Sequence, residues 1–146
     1  MGEQLTKPRT GFFRWQGVLF LVVMVIYIGA IFAVSHIPGK HLNFGFRFWD
    51  KAAHFVLYMP VGFLAMGWLR YRAWLPSFWP RLVLAVVATL AAGVFDELHQ
   101  SWVPGRDAEL DDVIADVLGG LAGALVATAV LGRGKPKRSS ADAANP

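Results

Sequence analysis

From Trp15 to Ser35 the chain carries a single strongly polar side chain before its end, Gln16. About 20 residues of helix rise about 30 Å, the thickness of the hydrocarbon core of a bilayer. Three further apolar runs follow, and hydrophobic residues make up 55% of the 146 positions. A soluble domain of this length cannot cover that much apolar surface, whereas lipid can. The competing reading of the first run is a cleaved signal peptide, since the N-terminus is basic and Ala33-Val34-Ser35 ends in small residues. The run is longer than a usual signal core, which favours a span.

The hydropathy pattern predicts helices over 15–35, 51–69, 81–102 and 108–131. Pro38 and Gly39 close the first. Pro60 removes one backbone bond from the second and predicts a bend near Val56. Pro80 suits the first position of the third. Pro104-Gly105 predicts a tight turn before the fourth, with proline presetting φ and glycine free to take φ > 0. Short connections imply antiparallel neighbours, so the expected fold is all-α, a four-helix transmembrane bundle running up-down-up-down. Residues 1–14 read as a cytoplasmic N-terminal segment, 15–131 as the transmembrane domain, and 132–146 as a disordered basic cytoplasmic tail.

Sidedness rests on charge. Lys7, Arg9 and Arg14, then Arg70, Arg72 and Arg81, then Arg133, Lys135, Lys137 and Arg138 all fall on one side of a four-span chain. Only Lys40, Arg47, Lys51 and Arg106 fall on the other. Positive residues concentrate inside, which places both termini in the cytoplasm of a cytoplasmic-membrane protein. Most acids and all four histidines (His36, His41, His54, His99) sort to the outer side, and the tryptophans sit near helix ends as interface anchors. Basic residues that flank spans are explained by topology, so no nucleic acid is expected as a partner. The chain has no cysteine, which excludes disulfides, thiolate metal sites and a Cys nucleophile.

The polar groups within the spans carry the functional reading. Helix 2 opens with Asp50-Lys51-x-x-His54-x-x-x-Tyr58, whose spacings of three and four put Lys51, His54 and Tyr58 on one face. Helix 3 ends with Asp96-Glu97-x-x-Gln100, and helix 4 begins with Asp112-x-x-x-Asp116. These groups all lie toward the outer ends, where they can converge. A carboxylate deep in a membrane helix costs on the order of 3 kcal/mol, so Asp96, Glu97, Asp112 and Asp116 point to a site or an ion-pair network. Five acids face Lys51 and Arg106, which calls for protonated carboxylates or a bound cation. A divalent cation on Asp96, Asp112 and Asp116 is the candidate cofactor, although no stretch has the spacing of a calcium loop.

Other residues have plainer roles. Asp50 suits the N-cap of helix 2. Lys51 can snorkel to headgroups, and one of Asp96 and Glu97 can turn to Arg106 or Lys51. Asp107, Glu109 and Asp111 suit the positive end of helix 4 while facing water, and the other histidines suit the interface. The strip Ala115, Gly119, Gly123 and Ala127 offers close helix packing, with Ala88, Ala92 and Gly93 of helix 3 as its mate.

At these residues the sequence resembles the VanZ-like family of bacterial membrane proteins. The likeness rests on Asp50-Lys51-x-x-His54-x-x-x-Tyr58, Asp96-Glu97-x-x-Gln100, Pro104-Gly105-Arg106, Asp112, Gly119 and Gly123, with Ser35-x-x-Pro38 after helix 1. It departs at Asp116, where the family often has asparagine, and at Glu109, where it often has a small hydroxyl residue. The family takes its name from a factor for resistance to teicoplanin, a glycopeptide that targets cell-wall precursors. The resemblance implies a membrane lipid, a lipid-linked envelope precursor or a glycopeptide as partner, and antibiotic resistance as one outcome.

Three functions are open to such a site. A binder of envelope lipid headgroups or wall precursors would hold phosphate with Lys51 and Arg106, with Tyr58 and Gln100 also contacting the ligand. An enzyme acting on a lipid phosphate or pyrophosphate would use His54, Asp96, Glu97 and Asp112 as its catalytic set, with a metal as aid. A proton- or ion-coupled transporter would relay through Asp96, Asp116 and His54, but the inner halves of the helices offer almost no polar path. The binder is the leading expectation.

Overall fold

The computed structural model of the chain describes residues 10–38, 47–72 and 74–132. They form α1 (Thr10–Ser35), α2 (Arg47–Arg70), α3 (Phe78–Gln100) and α4 (Leu110–Gly132), with no strand among the described residues. All four are long and apolar enough to cross a membrane. At 23 residues each, α3 and α4 rise about 35 Å. Ile26, Val87, Phe95, Ile114 and Val130 stand on the outside rather than in the core, where hydrocarbon would cover them. The chain is a multi-pass membrane protein. Of the expected tails, 1–14 and 132–146, residues 1–9 and 133–146 lie outside the described residues, as do Lys40 and His41, whereas residues 10–14 open α1 five residues earlier than expected and Gly132 ends α4.

The helix ends differ from the sequence reading. α2 begins at Arg47, four residues early, so Asp50 lies within its first turn and is not its N-cap. It runs unbroken through Pro60 to Arg70. α3 begins at Phe78 behind Ser77, which places Pro80 third in the helix rather than first. The substitution is harmless there, because the first-turn N–H groups have no intrahelical acceptor in any case. α3 stops at Gln100, and Ser101 and Trp102 form a turn. Gly105 takes φ 78° and the Arg106 amide donates to the Val103 carbonyl at 3.1 Å, which makes Val103–Arg106 the expected tight turn. α4 starts two residues late because the Glu109 carbonyl, not an earlier one, accepts the first helical bonds from Asp112 and Val113.

α2 is the hub: it packs on α1, α3 and α4, while α1 makes no close backbone approach to α4 among the described residues. The α2–α4 seam is built from glycine. A Cβ at Gly119 would strike the Phe55 carbonyl, one at Gly123 the Met59 carbonyl, and one at Gly62 the Gly120 carbonyl. The Gly119–Gly123 line of α4 therefore mates with α2, while Gly120 beside it faces Thr89 of α3. Spacing identifies such a strip but not the neighbour it faces. Gly93 has a different use, since a Cβ there would lie 2.7 Å from Asp116 Oδ2.

Two apolar clusters fill the interior. One holds Ala65, Met66, Leu69, Leu75, Ala85, Ala124 and Ala127, and the other holds Ile31, Tyr58, Val61 and Ala92. Beyond the second cluster the interior turns polar, with Ser35, His54, Asp96, Glu97, Gln100, Asp112 and Asp116 all buried.

Candidate functional site

Lys51 is the centre of the first group. Its ammonium lies 2.9 Å from Asp112 Oδ1, 3.1 Å from Glu109 Oε2 and 3.7 Å from Asp111 Oδ2. Glu109 and Asp111 therefore do more than face water at a helix end, and Lys51 does not snorkel alone. With three carboxylates around it, Lys51 is also a poor candidate for holding a phosphate. The sequence reading gives Glu109 only a place at the positive end of helix 4, facing water, and not a contact with Lys51. Its position three residues before Asp112 is the signal that could have found it.

One turn deeper, His54 Nδ1 lies 3.0 Å from Asp116 Oδ1. The pair joins α2 to α4, and Asp116 is 0% exposed. The i,i+3/i+4 spacings of the two helices bring this about: Lys51 and His54 descend one face of α2 as Asp112 and Asp116 descend the facing side of α4.

α3 supplies two carboxylates that point apart. Asp96 Oδ2 accepts from Gln100 Nε2 at 2.9 Å, one turn along the same helix. Glu97 Oε2 accepts from the Glu109 amide at 2.8 Å, tying the end of α3 to the start of α4. Neither turns to Lys51 or Arg106, contrary to the sequence expectation. One oxygen each of Asp96, Glu97 and Asp116 is buried without a hydrogen-bond partner. An unmet buried acceptor costs on the order of 1–3 kcal/mol, so three of them near one imidazole call for a donor or a cation.

Arg106 behaves unlike Lys51. Among the described residues it forms no ion pair, and its Nε is buried without a partner. It lines a cavity of about 160 Å³ together with Asp50, His54, Tyr58, Asp96 and Gln100, closed on one side by Tyr27, Ile31 and Ser35 of α1. The Tyr58 hydroxyl donates to the Ala92 carbonyl at 3.4 Å, a long bond. At about 30 Å³ per water, the space equals about five water molecules. The sequence-derived set is thus divided. Asp50, His54, Tyr58, Asp96, Gln100 and Arg106 face the cavity; Lys51, Glu97, Asp112 and Asp116 do not line it. His54 belongs to both. The contribution of α1 was not anticipated, although Ser35-x-x-Pro38 marked that end of the helix.

Two trios bring possible ligand atoms within 4.8 Å of one another: Asp50, His54 and Asp112, and His54, Asp96 and Glu97. The expected metal set of Asp96, Asp112 and Asp116 is not among them, because Asp116 is taken up by His54 and faces Gly93. Pro104 and Gly105 position Arg106 through the turn, and Gly119 and Gly123 set the α2–α4 distance. His36 and His99 lie apart from this site and pair with each other, Nδ1 to Nε2 at 3.3 Å.

Fold and site together define a small polytopic membrane protein with a charged cluster near one end of the bundle and, beside it, a largely apolar-walled cavity that a few polar side chains reach. The family model for VanZ/LLP1 matches residues 6–131, and the chain belongs to that family. No curated protein and no solved structure matches the chain.

Proposed function

We propose that the chain is an up-down-up-down bundle of the cytoplasmic membrane with both termini inside, and that its outward cavity binds the phosphate-bearing headgroup of an envelope lipid or lipid-linked wall precursor. Pairings support the topology. Lys51 and His54 of α2 meet Asp112 and Asp116 of α4 in the same order, so those helices run together. Phe20 of α1 packs on Tyr71 near the end of α2, while His36 meets His99, so α1 and α3 run the other way. The Lys and Arg asymmetry supports the orientation.

Arg106 carries the binding reading: a guanidinium with no carboxylate partner among the described residues, set on the wall of a cavity. Its planar fork suits phosphate oxygens. Asp50, Asp96 and Gln100 offer acceptors and a donor for the hydroxyls or amine of a headgroup. Trp102 is 82% exposed beside this turn, the position of an interfacial anchor. A volume of about 160 Å³ suits one headgroup and not a glycopeptide, which favours the lipid among the possible partners.

A second reading rests on the trio His54, Asp96 and Glu97 with its unpartnered oxygens. A divalent cation held there would polarise a lipid phosphoryl oxygen, with His54 as acid or base. Native mass spectrometry of gently extracted protein, with metal analysis of the same sample, tests both. A phosphate-bearing lipid should co-purify, and its affinity should fall about tenfold in Arg106→Gln, read as reduced retention, since one charge-assisted contact is worth on the order of 1.5 kcal/mol. Unchanged retention would overturn the binding site. A stoichiometric metal lost in Glu97→Gln would move the assignment to the enzyme.

A further inference from the structure

We infer that the bundle has a second anion site, at the end opposite the acidic cluster, which takes the phosphodiester of an anionic phospholipid. A cavity of about 270 Å³ opens there between the end of α2, the start of α3 and the end of α4. Arg70 and Arg81 line it, flanked by the apolar side chains of Met66, Phe78 and Leu131 and by Thr128. Every acidic residue in the described segments lies elsewhere, from Asp50 to Asp116 around the other end, so neither arginine has a protein carboxylate within ion-pair distance among the described residues.

Arg81 is held in place rather than neutralised. Its Nε donates to the Leu75 carbonyl at 2.6 Å, which fixes the guanidinium while leaving its charge unmatched. Ser77 precedes α3 without a side-chain cap, so the positive end of that helix adds to the same field. Two cations beside hydrocarbon, Arg81 held in place and Arg70 across the cavity from it, match an amphiphile with a phosphate at the interface and acyl chains along the bundle. The last-turn carbonyls of α2 and α4 also attract these guanidinium groups. A purely structural role would therefore cost stability without changing lipid response.

The two roles separate in a thermal-unfolding titration of the full chain in detergent, carried out on Arg106→Gln so that the first cavity does not contribute. Phosphatidylglycerol should raise the unfolding midpoint, whereas phosphatidylcholine and inorganic phosphate should not. Adding Arg70→Gln and Arg81→Gln should weaken the apparent phosphatidylglycerol affinity by about tenfold to a hundredfold, as expected for loss of one to two charge-assisted contacts. Arg72→Gln should leave it in place, because Arg72 stacks over Trp68 outside this cavity. If the glutamine pair does not fold, the corresponding lysine pair should fold and keep part of the response. A full response in the glutamine pair, an equal response to phosphatidylcholine, or saturation by inorganic phosphate alone would overturn the assignment.

Discussion

Lys51 shows how the membrane interior makes a single cation decisive. Its side chain is 28% exposed, and the Asp112 side chain beside it is 5% exposed. Truncating one member of such a group leaves the others charged and unpaired in a poorly solvated place, which in buried pairs costs about 3–5 kcal/mol. Lys51→Met should therefore destabilise the bundle by about 3 kcal/mol, the lower end of that range because Lys51 keeps some solvent. Asp112→Asn should remove much of the penalty in the double variant, and Asp111→Asn much less, given separations of 2.9 Å and 3.7 Å. Denaturant unfolding of the single and double variants in micelles measures both couplings. Equal coupling for the two acids would show that distance does not govern the group.

At the scale of elements, the α2–α4 seam is the tightest in the molecule and the easiest to break. Gly119→Leu should push the helices apart and cost about 3 kcal/mol, because its side chain would meet the Phe55 backbone rather than a side chain able to move. Gly29→Ala faces open space and should be neutral or slightly stabilising, by up to about 1 kcal/mol. Thermal melts of the two variants check this contrast, and similar midpoints would contradict it. The four spans were legible because hydropathy and proline placement mark them directly. Their ends were less so, since residues such as Arg47 and Trp49 suit an interface whether helical or not. The convergence of Lys51, His54, Asp112 and Asp116 could be read from spacing within each helix. Which helix faces the glycines and which acid Lys51 prefers depend on rotation about the helix axes, and that Arg106 has no carboxylate partner among the described residues depends on the turn that carries it; spacing along one helix carries no information about either.

For the whole molecule, the proposed orientation has a direct test because the native chain lacks cysteine. Ser77 and Ser101 flank α3 and are both exposed, so Ser77→Cys and Ser101→Cys each give a single reporter thiol at opposite ends of one span. An impermeant thiol reagent added to intact cells should label the Ser101 position, and the Ser77 position only after permeabilisation. The reverse pattern would invert the protein and move the Arg106 cavity to the cytoplasmic leaflet. The two cavities also differ in their walls. The one beside Arg106 is closed by Tyr27, Ile31 and Ser35 of α1, the helix that rests mainly on α2 and makes no close backbone approach to α4 among the described residues. A wall made from the least anchored helix would, wherever it yielded, open the cavity sideways onto the bilayer. The residence time of a bound lipid would then be set by how often α1 swings aside, and a covalent tether between α1 and α3 would lengthen it.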